Sequence, residues 1–192
     1  MRECMNGGLT GEAVCNRFKI AILNDNLNNS MKPFENIATE IIILVHEWES
    51  KLLSLSEEMI TQRRNSQNRS IKQIVGHMVD SASNNTHRVV HLQYRELPLR
   101  FPNYATYGNN DRWIAIQNYQ DENWENLVKF WKYSNLHFAY IIQNVNPEML
   151  QNVWLSDVGE KLTLKKMVES YLPHLILHLG EIEELIAKIY YF

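Results

Sequence analysis

The stretch YLPHLILHLGEIEEL, residues 171–185, places His174 and His178 one helical turn apart, directly after Pro173. At that spacing two side chains leave a helix on one face, and their imidazole nitrogens can converge on one point, as in helices that hold zinc. On spacing alone the blander reading prevails: one imidazole packed and hydrogen-bonded in the core, the other exposed. His87 and His91 have the same spacing and show how readily chance supplies it. Other features shift the balance towards a metal. Pro173 has no amide hydrogen for the carbonyl of Glu169, so a kink or an opened turn is expected just before His174. His77, early on another helical segment, reaches the level of His174 and His178 if the two helices are antiparallel neighbours. Three imidazoles leave one or two positions for water, the arrangement of a catalytic metal rather than a structural one. His91 lies about 21 Å along the helix axis from His77 and cannot share that site, so His87 and His91 read as structural or surface residues.

Four helical segments must position these residues, and no segment of comparable length alternates with period two, which predicts an all-α domain. The first runs from about Phe34 to Leu55, with Ile37, Ile41, Val45, Trp48 and Leu52 on one face. The second opens at Ser70, whose hydroxyl can cap the first turn while Gln73 reaches back to the cap's amide, and it continues to about Leu92. The third begins near Asp121 and carries Trp124 and Trp131 one heptad apart, ending before Asn146-Pro147. The fourth starts at the cap Thr163 and carries Leu164, Val168, Leu175, Ile182, Leu185 and Ile189 nearly to the C-terminus. A moderate loop joins helices one and two, whereas about twenty-five residues around ELPLRFPNYATYGNNDRWIAIQNYQ separate helices two and three. Only the second link can run the length of a bundle, so the expected architecture is a four-helix bundle, up-down-down-up, with a long crossover between helices two and three. A small helix over about 110–118 is expected in the crossover, and a short hairpin in NVWLSDVGEKLT before helix four.

Composition bounds the partners. With 192 residues, 45% hydrophobic, the chain suffices for one domain with a sizeable core. A net charge of −3 gives no basic footprint for nucleic acid. The longest apolar run, IIILV at 41–45, is far short of a membrane span, so a cytoplasmic location is the default expectation. Cys4 and Cys15 both fall in residues 1–30, a poorly patterned extension that ends in an Asn-rich run. They supply neither a disulfide framework nor a zinc site to the fold. Met31 is the expected biological start, and 31–192 the domain.

GHMVDSASNNTHR on helix two, DRWIAIQNY in the crossover and TLKKMVESYLPHLILHLGEIEEL on helix four resemble the DinB/YfiT-like family over about residues 33–190. The resemblance implies a four-helix bundle of the up-down-down-up kind, often a homodimer, with metal held by one histidine of the second helix and a His-x-x-x-His pair of the fourth. The matching residues are His77, His174 and His178, and all three are present. It also implies a metal-dependent hydrolase, or a transferase that uses a low-molecular-weight thiol as cosubstrate, acting on a small molecule. The alternative is a non-catalytic dimeric helical-bundle protein of a stress or damage response, with a structural or vestigial metal site. Imidazole donors suit several divalent ions; zinc and nickel are the first expectation, iron and manganese the next.

A polar stripe follows His77 along helix two: Asp80 or Ser81, Asn84, Arg88. Asp80, Asn84 and Arg88 can orient a ligand's carboxylate or carbonyl, Arg88 as a two-pronged donor. A capping or interhelical hydrogen-bond network accounts for the same three residues equally well. Glu181, in the run EIEE, reads as a surface acid in preference to an acceptor for an imidazole N–H. Tyr171 reads as core rather than as a donor to a reaction oxyanion.

Overall fold

The computed structural model describes residues 32–188, so the N-terminal extension with Cys4 and Cys15, the start expected at Met31, and Ile189 lie outside the described residues. In chain order the helices are α1 (Glu35–Leu53), α2 (Glu57–Gln62), α3 (Ile71–His91), α4 (Asn109–Gln117), α5 (Trp124–Gln143) and α6 (Leu164–Ala187). Three short strands accompany them: β1 (Leu99–Arg100), β2 (Val153–Leu155) and β3 (Lys161–Thr163). Helices α1, α3, α5 and α6 form the four-helix bundle.

Three of the four bundle helices start where a side chain satisfies the first amides; α1, with Phe34 at its N-cap, has no such side-chain cap. At α3, Ser70 accepts from the Gln73 amide while the Gln73 side chain accepts from the Ser70 amide, a complete capping box. Thr163 caps α6 by accepting from Lys166 N. The third bundle helix begins at Trp124 rather than at Asp121, because the Asn123 side chain accepts from the Asn126 amide and fixes the cap there. The first bundle helix likewise ends at Leu53 rather than running to Leu55. The chain turns there and restarts as α2, where Ser56 accepts from Met59 N.

Two interhelical pairings set the directions. Trp124 Nε1 donates to Leu52 O (3.0 Å) and Lys132 pairs with Glu49 (2.7 Å), so α5 runs antiparallel to α1. Ser81 lies against His174, and Asn65, just before α3, donates to Glu181, so α6 runs antiparallel to α3. Between the helices Trp131, Phe138, Ile41, Ile74 and Leu127 are among the fully buried side chains.

The crossover holds more structure than its periodicity suggests. The expected hairpin forms, with β2 antiparallel to β3, and β1 adds in parallel to β2 as a third strand. Two residues are too few to show a period, which is why β1 leaves no trace in the sequence. The small helix α4 and the turn after it lay Tyr119 across Gly76 of α3. A Cβ on Gly76 would stand 2.1 Å from Cδ2 and 2.2 Å from Cγ of that ring.

Gly76→Ala tests this close approach. Helix propensity alone favours alanine by about 1 kcal/mol. The clash involves the root of the Tyr119 ring, which cannot swing aside, and overpacking costs about 1–3 kcal/mol or more. The variant is expected to unfold at lower urea concentration than the native protein; an unchanged or higher midpoint would contradict the packing described.

Candidate metal centre

Helix α3 carries its polar stripe inside the protein. His77, Asp80, Ser81, Asn84 and Arg88 are each at most 6% exposed, which rules out a solvated face. Polar groups buried at that density need partners or a ligand, because desolvating them uncompensated costs several kcal/mol.

The antiparallel packing of α3 on α6 brings the three histidines together. Ligating atoms of His77, His174 and His178 all lie within 4.8 Å of one another. The His77 ring is edge-on to His178 at 4.7 Å between centroids and to His174 at 5.4 Å. His174 Nε2 and His178 Nε2 face each other at 3.1 Å. Their outer nitrogens are engaged elsewhere: His178 Nδ1 lies 3.1 Å from Glu181 Oε2, and His174 Nδ1 lies 3.4 Å from Ser81 Oγ. His77 Nδ1 is buried with no hydrogen-bond partner. Helix α6 stays continuous through Pro173, so the pair is presented from regular helix rather than from an opened turn.

Glu181 corrects the sequence reading. It is no plain surface acid: its Oε2 receives both His178 Nδ1 and the Asn65 amide, the latter at 3.1 Å. A carboxylate so placed accepts from an Nδ1–H and orients the ring with Nε2 turned into the cluster. Asn65 belongs to the loop before α3, whose bearing on the site no periodicity reveals.

Asp80, Asn84 and Arg88 engage different partners. Asp80 Oδ1 accepts from the Tyr119 hydroxyl (2.8 Å) and Gln117 Nε2 (2.5 Å), while its Oδ2 is buried and unpartnered. Burial raises the Asp80 carboxyl above its ordinary value, and the two donors pull the other way. Asn84 donates to the Asp80 carbonyl oxygen at 2.9 Å. Arg88 lays its guanidinium on the Trp154 ring (4.3 Å to the centroid) and donates weakly to Pro102 O and Asn103 Oδ1. Tyr171 is core: it is buried and donates to Asn135 Oδ1 at 2.6 Å. His87 and His91 stack on each other at 6.2 Å, apart from the centre.

Several crossover residues join the site without having been singled out. Gln117 and Tyr119 sit within or beside DRWIAIQNY, the motif that carried the resemblance, so the signal was present without a role. Arg69, buried, grips Asp111 at 2.6 Å and ties the start of α4 to the site. Tyr104 packs on the His77 ring at 6.2 Å. Its burial, with the Asp80 carboxylate nearby, pushes the phenol up to about 12, so it is a protonated donor at neutral pH.

The sequence pattern of the DinB superfamily matches residues 46–182. The chain belongs to the DinB superfamily. Its fold is also that of YfiT from Bacillus subtilis, described as "a probable metal-dependent hydrolase with an unusual four-helix bundle topology". The two superpose with a TM-score of 0.66 over 83% of this chain and 89% of that one, at 13% identity. No curated protein matches the chain. No helix among the described residues of this DinB-superfamily chain is long and apolar enough to cross a membrane.

Burial, then the charges of the other two imidazoles, holds His77 down to about 2; burial, then His178, holds His174 down to about 4. In the unfolded chain both return to about 6.5. Below that pH the unfolded state binds protons that the folded state refuses. The stability held above pH 6.5 is therefore lost as pH falls through about 4 for His174 and on towards 2 for His77, at up to ~1.4 kcal/mol per pH unit for each imidazole. Urea unfolding of the metal-stripped protein between pH 7 and 5 should show this slope, and His77→Gln should flatten it. A slope unaltered in the variant would contradict the assignment.

Proposed function

We propose that this chain is a metal-dependent hydrolase of a small molecule, with His77, His174 and His178 as ligands of one divalent cation. The observation that carries the reading is the convergence of three imidazoles, of which His77 and His178 are buried and His174 half-buried. The outer nitrogens of two are engaged by Glu181 and Ser81, and one nitrogen of the third is left without a partner. Converging imidazoles, one of them with an orphaned buried nitrogen, suit a divalent cation. Zinc or nickel is the first candidate, iron or manganese the next. The description of YfiT as a metal-dependent hydrolase supports the same reading.

Bound there, the cation supplies Lewis acidity towards a water molecule and towards a carbonyl or phosphoryl oxygen. The chain's own groups do the rest. Glu181 keeps the proton of His178 on Nδ1, and Asn65 holds Glu181 in place. Ser81 gives His174 Nδ1 a neutral partner, so Nε2 is the nitrogen left for the ion. Asp80, with Oδ1 held by Tyr119 and Gln117, keeps Oδ2 available to take the proton of an attacking water. A low-molecular-weight thiol in place of that water would make the same centre a transferase.

Elemental analysis of protein prepared without a polyhistidine tag should find close to one metal per chain, and none in a His174→Ala, His178→Ala variant. Glu181→Gln should lower metal affinity by roughly 10–100-fold. Assayed on small esters, amides and phosphoesters, with and without added thiol, Asp80→Asn should keep its metal yet lose about 10²–10⁴ in kcat. Equal metal content in the native protein and the double variant would defeat the proposal; full activity in Asp80→Asn would defeat the role given to that carboxylate.

A further inference from the structure

Between α3 and the crossover lies a cleft of about 380 Å³, lined by Asn84, Tyr104, Arg112, Trp113, Ile116 and Asp157 among others. It adjoins the histidine cluster in two ways. Tyr104 forms part of its wall and packs on the His77 ring at 6.2 Å, and Trp113 continues from Tyr104 at 5.3 Å between centroids. Along α3, Asn84 follows Ser81 on the face that began at His77, about 10 Å further along the axis. The cleft is therefore the outward continuation of the three-histidine centre.

Its walls state what would fill it. Trp113 is 39% exposed and Ile116 82% exposed, apolar surface that the fold itself does not bury. Asn84, whose amide nitrogen donates to the Asp80 carbonyl, adds a polar side chain with an Oδ1 acceptor to the lining. Arg112 and Asp157, one charge of each sign, bring no net charge to the lining. The larger cleft of about 680 Å³ beside His91, Tyr94 and Arg95 offers no such continuity, since it lies at the other end of α3 from His77.

We propose that this cleft is the substrate-specificity pocket of the metal centre and takes an aromatic or branched apolar group of a small molecule. The reacting carbonyl or phosphoryl end of that molecule then lies past Tyr104 at the three histidines. The inference rests on the metal-dependent reading above and adds the substrate class. Trp113 and Ile116 cover the apolar group, Asn84 Oδ1 accepts from an N–H or O–H on it, and Tyr104 separates it from the polar centre. A pocket of about 380 Å³ holds a group the size of a phenylalkyl chain.

The test uses two chelating probes on the zinc-loaded full chain, acetohydroxamic acid and 4-phenylbutanohydroxamic acid, with dissociation constants from calorimetry. They share the metal-binding end and differ only in the apolar body. The phenyl probe should bind about 10-fold more tightly or better, from the apolar area it buries. That ratio should fall towards unity in Trp113→Ala and in Ile116→Ala, and persist in Tyr133→Ala, an exposed aromatic on α5. Thermal unfolding of each variant shows whether the fold is intact. Equal affinity for the two probes, or a ratio indifferent to Trp113 and Ile116, would overturn the pocket while leaving the metal centre standing. Failure of both probes to bind would overturn the open metal centre, and the pocket with it.

Discussion

Three imidazoles, one from α3 and two from α6, are crowded to within 4.8 Å of one another, and the arrangement around them follows from that constraint. Burial, with a proton on a neighbouring ring raising the cost of the next, drives His77 and His174 far below the ordinary histidine range. The imidazole nitrogens must still find partners. Glu181 and Ser81 take the outer nitrogens of the α6 pair, and the inner ones are turned towards each other and towards α3. The dication proposed above would give these inner nitrogens one common partner.

Holding this cluster requires α3 to be buried on almost every side, and the crossover does the burying. Tyr119 lies flat on Gly76, where no side chain could be tolerated, and its hydroxyl reaches the Asp80 carboxylate one turn further on. Arg69 anchors the start of α4 through Asp111, and Trp154 of the small sheet stacks beneath Arg88. The long link between α3 and α5 is thus a wall of the site as well as a connection. It supplies Tyr104, Trp113, Gln117 and Tyr119, so the surroundings of the three histidines depend on the crossover as well as on the bundle helices.

The bundle was legible in the sequence because amphipathic helices advertise themselves: Ile41, Val45 and Leu52 on α1, or Leu127, Trp131 and Phe138 on α5, repeat at helical spacing and are buried. The caps at Ser70 and Thr163 were equally plain, since each is a local hydrogen bond between residues three apart. The three histidines could be grouped because two share a turn and the third needed only an antiparallel neighbour. Glu181 was misread, because EIEE looks the same whether its first acid faces water or an imidazole. Asp80, Asn84 and Arg88 share a stripe but meet different partners, which depends on crossover side chains that no spacing rule reaches. β1, Tyr104 and the Gly76–Tyr119 contact are tertiary facts of the same kind.

X-ray absorption at the metal edge bears most directly on the central claim, that a divalent ion is held by three imidazoles with a position left open. The account predicts, for the zinc-loaded protein, histidine-type scattering from three nitrogens at about 2.0–2.1 Å and one further light atom that exchanges when a small anion is added. A first shell containing sulfur, fewer than three imidazoles, or a closed set of four protein ligands indifferent to added anion would contradict it.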